Sequence, residues 1–505
     1  MLAIFQIQGF LVTLLGTDIT LDVVKNWFVY NPKQPLLFNS ALFLGLFLIF
    51  YFIYILSKKT HYFRVTYVVL FSLFFYYKCS GIYFWLLIFS SVLDYSLSKL
   101  IYEETKIFYR KFYLIASLVT NLGLLVYFKY TNFFLDNINT LFSQDFTFLD
   151  IILPVGISFY TFQTLSYTID VYRKDLKPTK SFVDFLFFVS FFPQLVAGPI
   201  VRASDFIPQI YKKLNLTKED FNKALFLIIG GLLKKAVISD YISSNFVDRV
   251  FDAPNSYSSF ENLIASYGYT LQIYCDFSGY SDMAIGLALL MGFTLPPNFR
   301  TPYKSTSVTE FWRRWHISLS SWLRDYLYIS LGGNRKGKFR TYINLFMTML
   351  LGGLWHGANW KFVFWGVLHG LALAVERFFD TRIKLPKNKF VKTIQLIITL
   401  HFVIFCWLFF RAKDFATAFQ IAENISKIQF NLEQWQTIIL GYQNVFLLLL
   451  IGFIWHFLPQ SVTDLKERLF GKLPFWAKAI VLGFVFWIVY ATASAGTQPF
   501  IYFQF

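Results

Sequence analysis

Six histidines occur in 505 residues, and one of them, His356, lies in the run Leu351 to Trp360, LGGLWHGANW, with glycines on both sides and no carboxylate nearby. An imidazole takes and returns a proton near neutral pH, and an ionisable group held inside an apolar segment is costly enough that its default reading is functional. Gly352, Gly353 and Gly357 would let backbone or substrate come close, while Trp355 and Trp360 supply rigid walls. The alternative is that the glycines serve helix packing and His356 bonds a neighbouring carbonyl. A second histidine, His316, lies in FWRRWHISLS, where Arg313 and Arg314 could pair with a phosphorylated anion through charge-assisted bonds; head-group contact by a basic stretch is the alternative. His369, in WGVLHG, follows His356 on the next helix. His61, His401 and His456 have no further polar motif around them and read as structural.

Other chemistries find no support. HExxH spacing and a cysteine pair at ligand distance are both missing, so no metal site is expected, and there is no GxxxxGK[ST] loop for a nucleotide phosphate. Cys79, Cys275 and Cys406 are far apart in apolar surroundings and read as small hydrophobes.

The elements that must position these groups are set by composition. The chain is 56% hydrophobic, 21% aromatic and 15% charged, with a mean hydropathy of +0.51. Long apolar stretches such as Leu36 to Ser57, Phe112 to Phe134, Ile394 to Phe410 and Ile438 to Leu458 recur, and a helix crosses a bilayer core in about 20 residues. We expect an all-α, polytopic transmembrane helical bundle with about eleven spans, plus re-entrant and interfacial helices. Barrel strands would alternate, and these runs are apolar on every face. No basic n-region precedes the first apolar stretch, so a cleaved signal peptide is not expected.

The formal charge of +17 does not point to nucleic acid, because the basic residues cluster in short loops, as at a cytoplasmic face. Lys58, Lys59 and Arg64 form one cluster; Arg377, Arg382, Lys384, Lys387, Lys389 and Lys392 form another. The segment Asn132 to Asp150 carries Asp136, Asp145 and Asp150 without Lys or Arg, and should face outward. Between Arg300 and Arg340, basic residues alternate with Trp312, Trp315, Leu319, Trp322, Leu323 and Tyr326 at helix spacing. That pattern predicts an amphipathic interfacial helix, started by a Ser307–Glu310 capping box and ended by GGNRKGK. Upstream, CDFSGYSDM (Cys275 to Met283) sets Asp276 and Asp282 beside glycine and serine, which predicts a broken or re-entrant helix.

The run from Cys275 to Gly370 resembles the membrane-bound O-acyltransferases, specifically the bacterial branch that O-acetylates alginate and peptidoglycan. The matching blocks are CDFSGYSDMAIGLALLMGF, NFRTPYKSTSVTEFWRRWHISLSSWLRDYLYISLGGNRKG and LGGLWHGANWKFVFWGVLHG. FFPQLVAGPIVR and LPVGISFYTFQTLSYTIDVYR, upstream, belong to the same pattern.

The resemblance implies that His356 is the active-site histidine and His316 a second essential one. It also implies a thioester donor bound from the cytosol, and a central tunnel. On that footing Trp312, Arg313, Arg314 and Trp315 are expected at the donor, and Gly353, Trp355, Trp360, His369 and Asp276 along the tunnel. Residues 1–36 form an extension of unknown role, 37–498 the membrane domain, and 499–505, PFIYFQF, an aromatic ending similar to a motif of polymer acyltransferases whose tyrosine carries the acyl group. Tyr502 is then a carrier; simple anchoring of aromatics at the interface is the alternative.

The expected donor is acetyl-CoA, with no bound cofactor. The expected partners are an extracytoplasmic esterase-like acetyltransferase, a polysaccharide or glycan acceptor, and membrane lipids, and the expected location is the bacterial cytoplasmic membrane. D-alanyl transfer to teichoic acid and a transporter of polymer precursors remain as alternatives.

Overall fold

The computed structural model describes residues 27–32, 35–57, 60–380, 382–383, 386, 388–492 and 500–501, and among them all regular secondary structure is helical. Lipid offers the backbone no hydrogen-bond partner, so a chain this apolar folds into elements that satisfy their own peptide groups. Among the described residues, five helical stretches are long and apolar enough to cross a bilayer, or six if the bent pair Leu432–Gly441 and Gln443–Phe457 counts as one span. The longest, His61–Glu103, is 43 residues, divided at Gly81, whose φ of +59° a side chain would strain.

This count does not confirm the roughly eleven crossings expected from hydropathy. Apolarity continues through bends that end helices. The apolar run Ile438 to Leu458 turns by 90° after Gly441, and Leu36 to Ser57 yields only the 16-residue helix Ala41–Leu56.

Two further expectations are corrected. Cys275 to Met283 is not a broken helix but the middle of the continuous helix Ser259–Leu290, started by a capping box between Ser258 and Glu261. Its glycine serves a helix crossing. A Cβ on Gly279 would meet the Gly231 carbonyl oxygen at 2.7 Å, and one on Gly231 would meet the Gly279 oxygen at 2.6 Å. Its carboxylates are paired, Asp282 with Lys234 at 2.5 Å and Asp276 with Lys235 at 2.5 Å. Both lysines extend from a π-helical segment, Leu233–Ser239.

The basic segment is, in turn, not one interfacial helix. Ser307 does accept from the Glu310 amide, at 3.1 Å, but the Val308–Arg314 helix stops there. Ile317–Trp322 starts anew and becomes π-helical over Leu323–Tyr328. Trp315, Leu319 and Tyr326 are buried, so the face read as lipid-facing packs inward. The predicted Asn132–Asp150 loop is helical as far as Phe142, the end of the 36-residue helix Ile107–Phe142.

The helices Lys338–His356 and Trp360–Asp380 form a tight antiparallel hairpin around Gly357–Asn359. Glycine allows the approach, because a Cβ on Gly353 would lie 2.3 Å from the Phe362 oxygen and one on Gly366 2.5 Å from the Met349 oxygen. The helix-packing reading of these glycines therefore holds for Gly353. Of the N-terminal extension, Val29 accepts a bond from the buried Lys78 and Tyr30 packs on Gly81.

Candidate active site

His356 is the last residue of its helix, where carbonyls run out of intrahelical partners. Lys129, from the Ile107–Phe142 helix, donates to the carbonyls of Trp355 at 2.7 Å and His356 at 2.9 Å. The Tyr130 hydroxyl donates to the Leu354 carbonyl at 2.8 Å. An ammonium at a helix C-terminus also meets the negative end of the dipole. The imidazole, 3% exposed as a residue, is walled by Trp355, Trp365 and Phe410 at ring-centroid distances of 5.2, 5.1 and 5.3 Å. It lines a cavity of about 70 Å³ with Lys129, Val155, Phe159, Val196 and Trp355.

His316 stands at the break between two helices with φ +42° and ψ 55°, a left-handed conformation that costs a side-chain-bearing residue about 1–3 kcal/mol. Asn298 holds the break. Its carbonyl accepts the Ile317 amide at 2.9 Å, and its side-chain oxygen accepts the Ser318 hydroxyl at 2.6 Å. The His316 ring is fully buried, 4.6 Å from Phe277 and 6.2 Å from Trp355. Trp355 is thus a shared wall for His316 and His356. Trp365 is the other junction, touching His356 on one side and His369 at 4.6 Å on the other.

The remaining expected residues scatter. Trp312 donates to His369 Nδ1 at 3.3 Å, and Trp315 is buried against Phe299, Phe311 and Trp407. Arg313 is exposed. Arg314 pairs with Glu310 at 2.7 Å and reaches the Arg300 carbonyl at 3.2 Å. Burial pushes the Glu310 carboxyl up, but bonds from Thr306 and Arg314 outweigh it and leave it below the ordinary range. Trp360 is 54% exposed and bonds Asn137 at 2.8 Å. Gly353 lies in the helix crossing, and Asp276 in the ion pair with Lys235. Tyr502 lies outside the described residues, as do Lys58, Lys59, Lys384 and Lys387. Phe500 and Ile501 are described and buried. The histidines read as structural have partners: His61 stacks on Tyr211, His401 bonds the Tyr267 hydroxyl at 2.7 Å, and His456 accepts the Tyr303 amide at 3.1 Å. Among the described residues no cluster of His, Cys, Asp and Glu could hold a metal.

A second, larger cavity of about 620 Å³ is lined by four basic side chains, Lys234, Arg300, Lys304 and Arg314, together with Phe299 and His456. It shares no lining residue with the cavity at His356. Phe299 touches Phe277 at 4.9 Å, and Phe277 touches His316 at 4.6 Å, so two rings separate the cationic cavity from the second imidazole. Sequence reasoning missed this cavity, Lys129 and Asn298. A lone lysine inside the apolar run Phe112 to Phe134 was the available signal for Lys129.

Comparison with known proteins agrees with this architecture. Residues 173–415 match the family model of membrane-bound O-acyltransferases. The chain is 40% identical over 420 residues to a peptidoglycan O-acetyltransferase of Helicobacter pylori, covering 77% of this chain and 80% of that one. It is 38% identical over 417 residues to a probable alginate O-acetylase of Pseudomonas putida, with 78% and 84% covered. A teichoic acid D-alanyltransferase of Bacillus subtilis is 31% identical over 276 residues, with 52% and 69% covered. Similarity over most of the sequence, together with apolar helices of spanning length, establishes that the chain is a multi-pass membrane acyltransferase belonging to the membrane-bound O-acyltransferase family.

Proposed function

We propose that this protein takes an acetyl group from acetyl-CoA on the cytosolic side of the bacterial inner membrane and passes it outward for O-acetylation of a cell-envelope or extracellular polysaccharide. The observation that carries this reading is the pair of imidazoles on the shared Trp355 ring, with His356 opening on its own cavity. Relatives at 38–45% identity named for O-acetyl transfer, against 31% for one named for D-alanyl transfer, favour acetyl.

The distribution of charge supports an orientation. Arg335, Lys336, Lys338 and Arg340 cluster at the start of the His356 helix, and Arg377 and Arg382 flank the end of its partner, so the positive-inside rule points the hairpin turn away from the cytosol. Nineteen residues rise about 28 Å at 1.5 Å each, which brings His356 towards the outer face. The Ile107–Phe142 helix continues 13 residues beyond Lys129, roughly 20 Å at the same rise, and its Asn137 bonds Trp360 beside the hairpin turn. The cationic cavity is lined by Gln460 and Thr463 of the polar helix Gln460–Lys472, whose Lys466, Arg468 and Lys472 the same rule assigns to the cytosolic side. There Arg300, Lys304 and Arg314 would meet the donor's phosphates, a role first expected of Arg313 and Arg314.

In the transfer step an acceptor hydroxyl oxygen attacks the thioester carbonyl carbon while His356 takes its proton. The tetrahedral intermediate expels the thiolate, the carbon–sulfur bond breaks, and the imidazolium returns the proton to sulfur. A positioned base of this kind contributes about 10² to 10⁴ in rate, and His316 would orient the thioester or stabilise the oxyanion. The acceptor we infer is the Tyr502 hydroxyl. A separate extracytoplasmic esterase-like transferase then carries acetyl to the polysaccharide. Incubating purified protein with labelled acetyl-CoA and sequencing the C-terminal peptide by mass spectrometry tests this. Acetyl on Tyr502 in the wild type, and none in His356→Ala at equal expression, is expected; full transfer in His356→Ala, or in Tyr502→Phe, overturns the corresponding assignment.

A further inference from the structure

Phe500 and Ile501 are seated in the core. Phe500 is fully buried, with its ring 4.9 Å from Tyr280 and 5.5 Å from Phe277. Phe277 is the same ring that touches His316. A backbone brought into a lipid-shielded interior needs partners for its peptide groups. The Ile501 amide finds one, donating to Asp276 Oδ2 at 3.1 Å.

Asp276 is built for this. It sits midway along the Ser259–Leu290 helix, buried, with its other oxygen taking Lys235 at 2.5 Å. Lys235 also serves Asp240 at 2.7 Å. Two carboxylates carry four acceptor oxygens, and one ammonium has three protons. The cluster therefore has more acceptor capacity than its lysine can fill, and a chain amide meets part of the surplus through a charge-assisted bond.

We propose that Asp276 is a positioning residue that latches the protein's own C-terminus. It fixes the chain at Ile501, directly before Tyr502 and one ring away from His316. The latch gives Phe500 and Ile501 a defined seat inside the acyltransferase. Its benefit to transfer rests on the carrier role inferred above for Tyr502; the seating itself does not.

Hydrogen–deuterium exchange of the C-terminal peptide in the full-length, detergent-purified protein reads the latch without reference to chemistry. Asp276→Ala removes the acceptor but leaves Lys235 with one carboxylate fewer and could perturb folding. Ile501→Pro removes the amide proton and spares the buried pair, although its ring also fixes φ and replaces a buried side chain. Ile501→Val keeps the donor, and Ile501→Ala trims the side chain while keeping the donor, so release in Ile501→Pro beyond that in Ile501→Ala reports the bond. Exchange in that peptide should rise about tenfold to a hundredfold in Ile501→Pro, the range set by loss of a bond to a charged group, and stay at the wild-type rate in Ile501→Val. Acetylation of Tyr502 should fall with it at an unchanged KM for acetyl-CoA. Wild-type exchange in Ile501→Pro, or equal release in Ile501→Val, would overturn the latch. A protected wild-type tail carrying no acetyl on Tyr502 would leave the latch standing and remove the carrier.

Discussion

Lys129→Met isolates the support of the helix end that carries His356 from the imidazole itself. The ammonium holds two carbonyls, those of Trp355 and His356, and a bond to a charged group contributes about 1.5–3 kcal/mol net. Losing both costs about 3–6 kcal/mol if nothing replaces them. Lys129 also lines the cavity of about 70 Å³, which is roomy enough for a water to recover part of this, so about 2–4 kcal/mol remains. The chain need not unfold to relieve that cost, because the turn at Gly357 can rotate its orphaned carbonyls towards the cavity and take His356 with them. At 1.4 kcal/mol per factor of ten, the middle of the range predicts a fall of about a hundredfold in kcat. An unfolding entropy of about 2.1 cal/mol/K per residue over a chain this long predicts a melting-point loss of only about 2–4 °C. The assay is release of free thiol from acetyl-CoA by purified protein, run beside a thermal melt, with Lys129→Arg as the variant that keeps the donors. Wild-type kcat in a folded Lys129→Met would refute the claim that this lysine sets the position of His356.

Arg300→Ala combined with Lys304→Ala should raise the KM for acetyl-CoA tenfold or more with kcat within about twofold, since the proposed phosphate site would lose two charge-assisted donors far from the reacting carbon; an unchanged KM across a salt titration would remove the cationic cavity from donor binding. Gly353→Ala places a Cβ 2.3 Å from the Phe362 carbonyl oxygen, which is backbone and cannot swing aside. That variant should lose activity through separation of the hairpin and melt several degrees lower, whereas Gly483→Ala, which meets nothing within 4 Å, should behave as wild type in the same melt.

The all-helical membrane class and the candidate histidines were legible because burial leaves a strong trace in composition, and because six imidazoles in an apolar chain are conspicuous. Helix continuity was not. Glycine and serine around Asp276 look like a break, yet Gly279 is there so that two helices can cross at backbone distance, and the paired carboxylate needs Lys235, 41 residues away in sequence. The opposite error occurred at FWRRWHISLS, where unbroken amphipathic spacing hides a left-handed residue at His316. Local periodicity carries no sign of that turn, because Asn298 stabilises it from outside the helix.

These misses share a physical cause. His356 ends a helix and His316 interrupts one, so each stands where the backbone stops satisfying itself. A side chain in mid-helix is ringed by its own turns, and an end or a break offers approach from more directions. The cost is orphaned peptide groups in an interior where water is scarce. Lys129 and Tyr130 meet the carbonyls before the first break, Asn298 meets the amide and hydroxyl after the second, and Asp276 meets the Ile501 amide. The residues that sequence spacing could not reveal are thus those that backbone accounting demands. Once a catalytic group is assigned to a helix terminus in such a chain, the polar residue isolated in a neighbouring apolar span becomes the first candidate for holding it there.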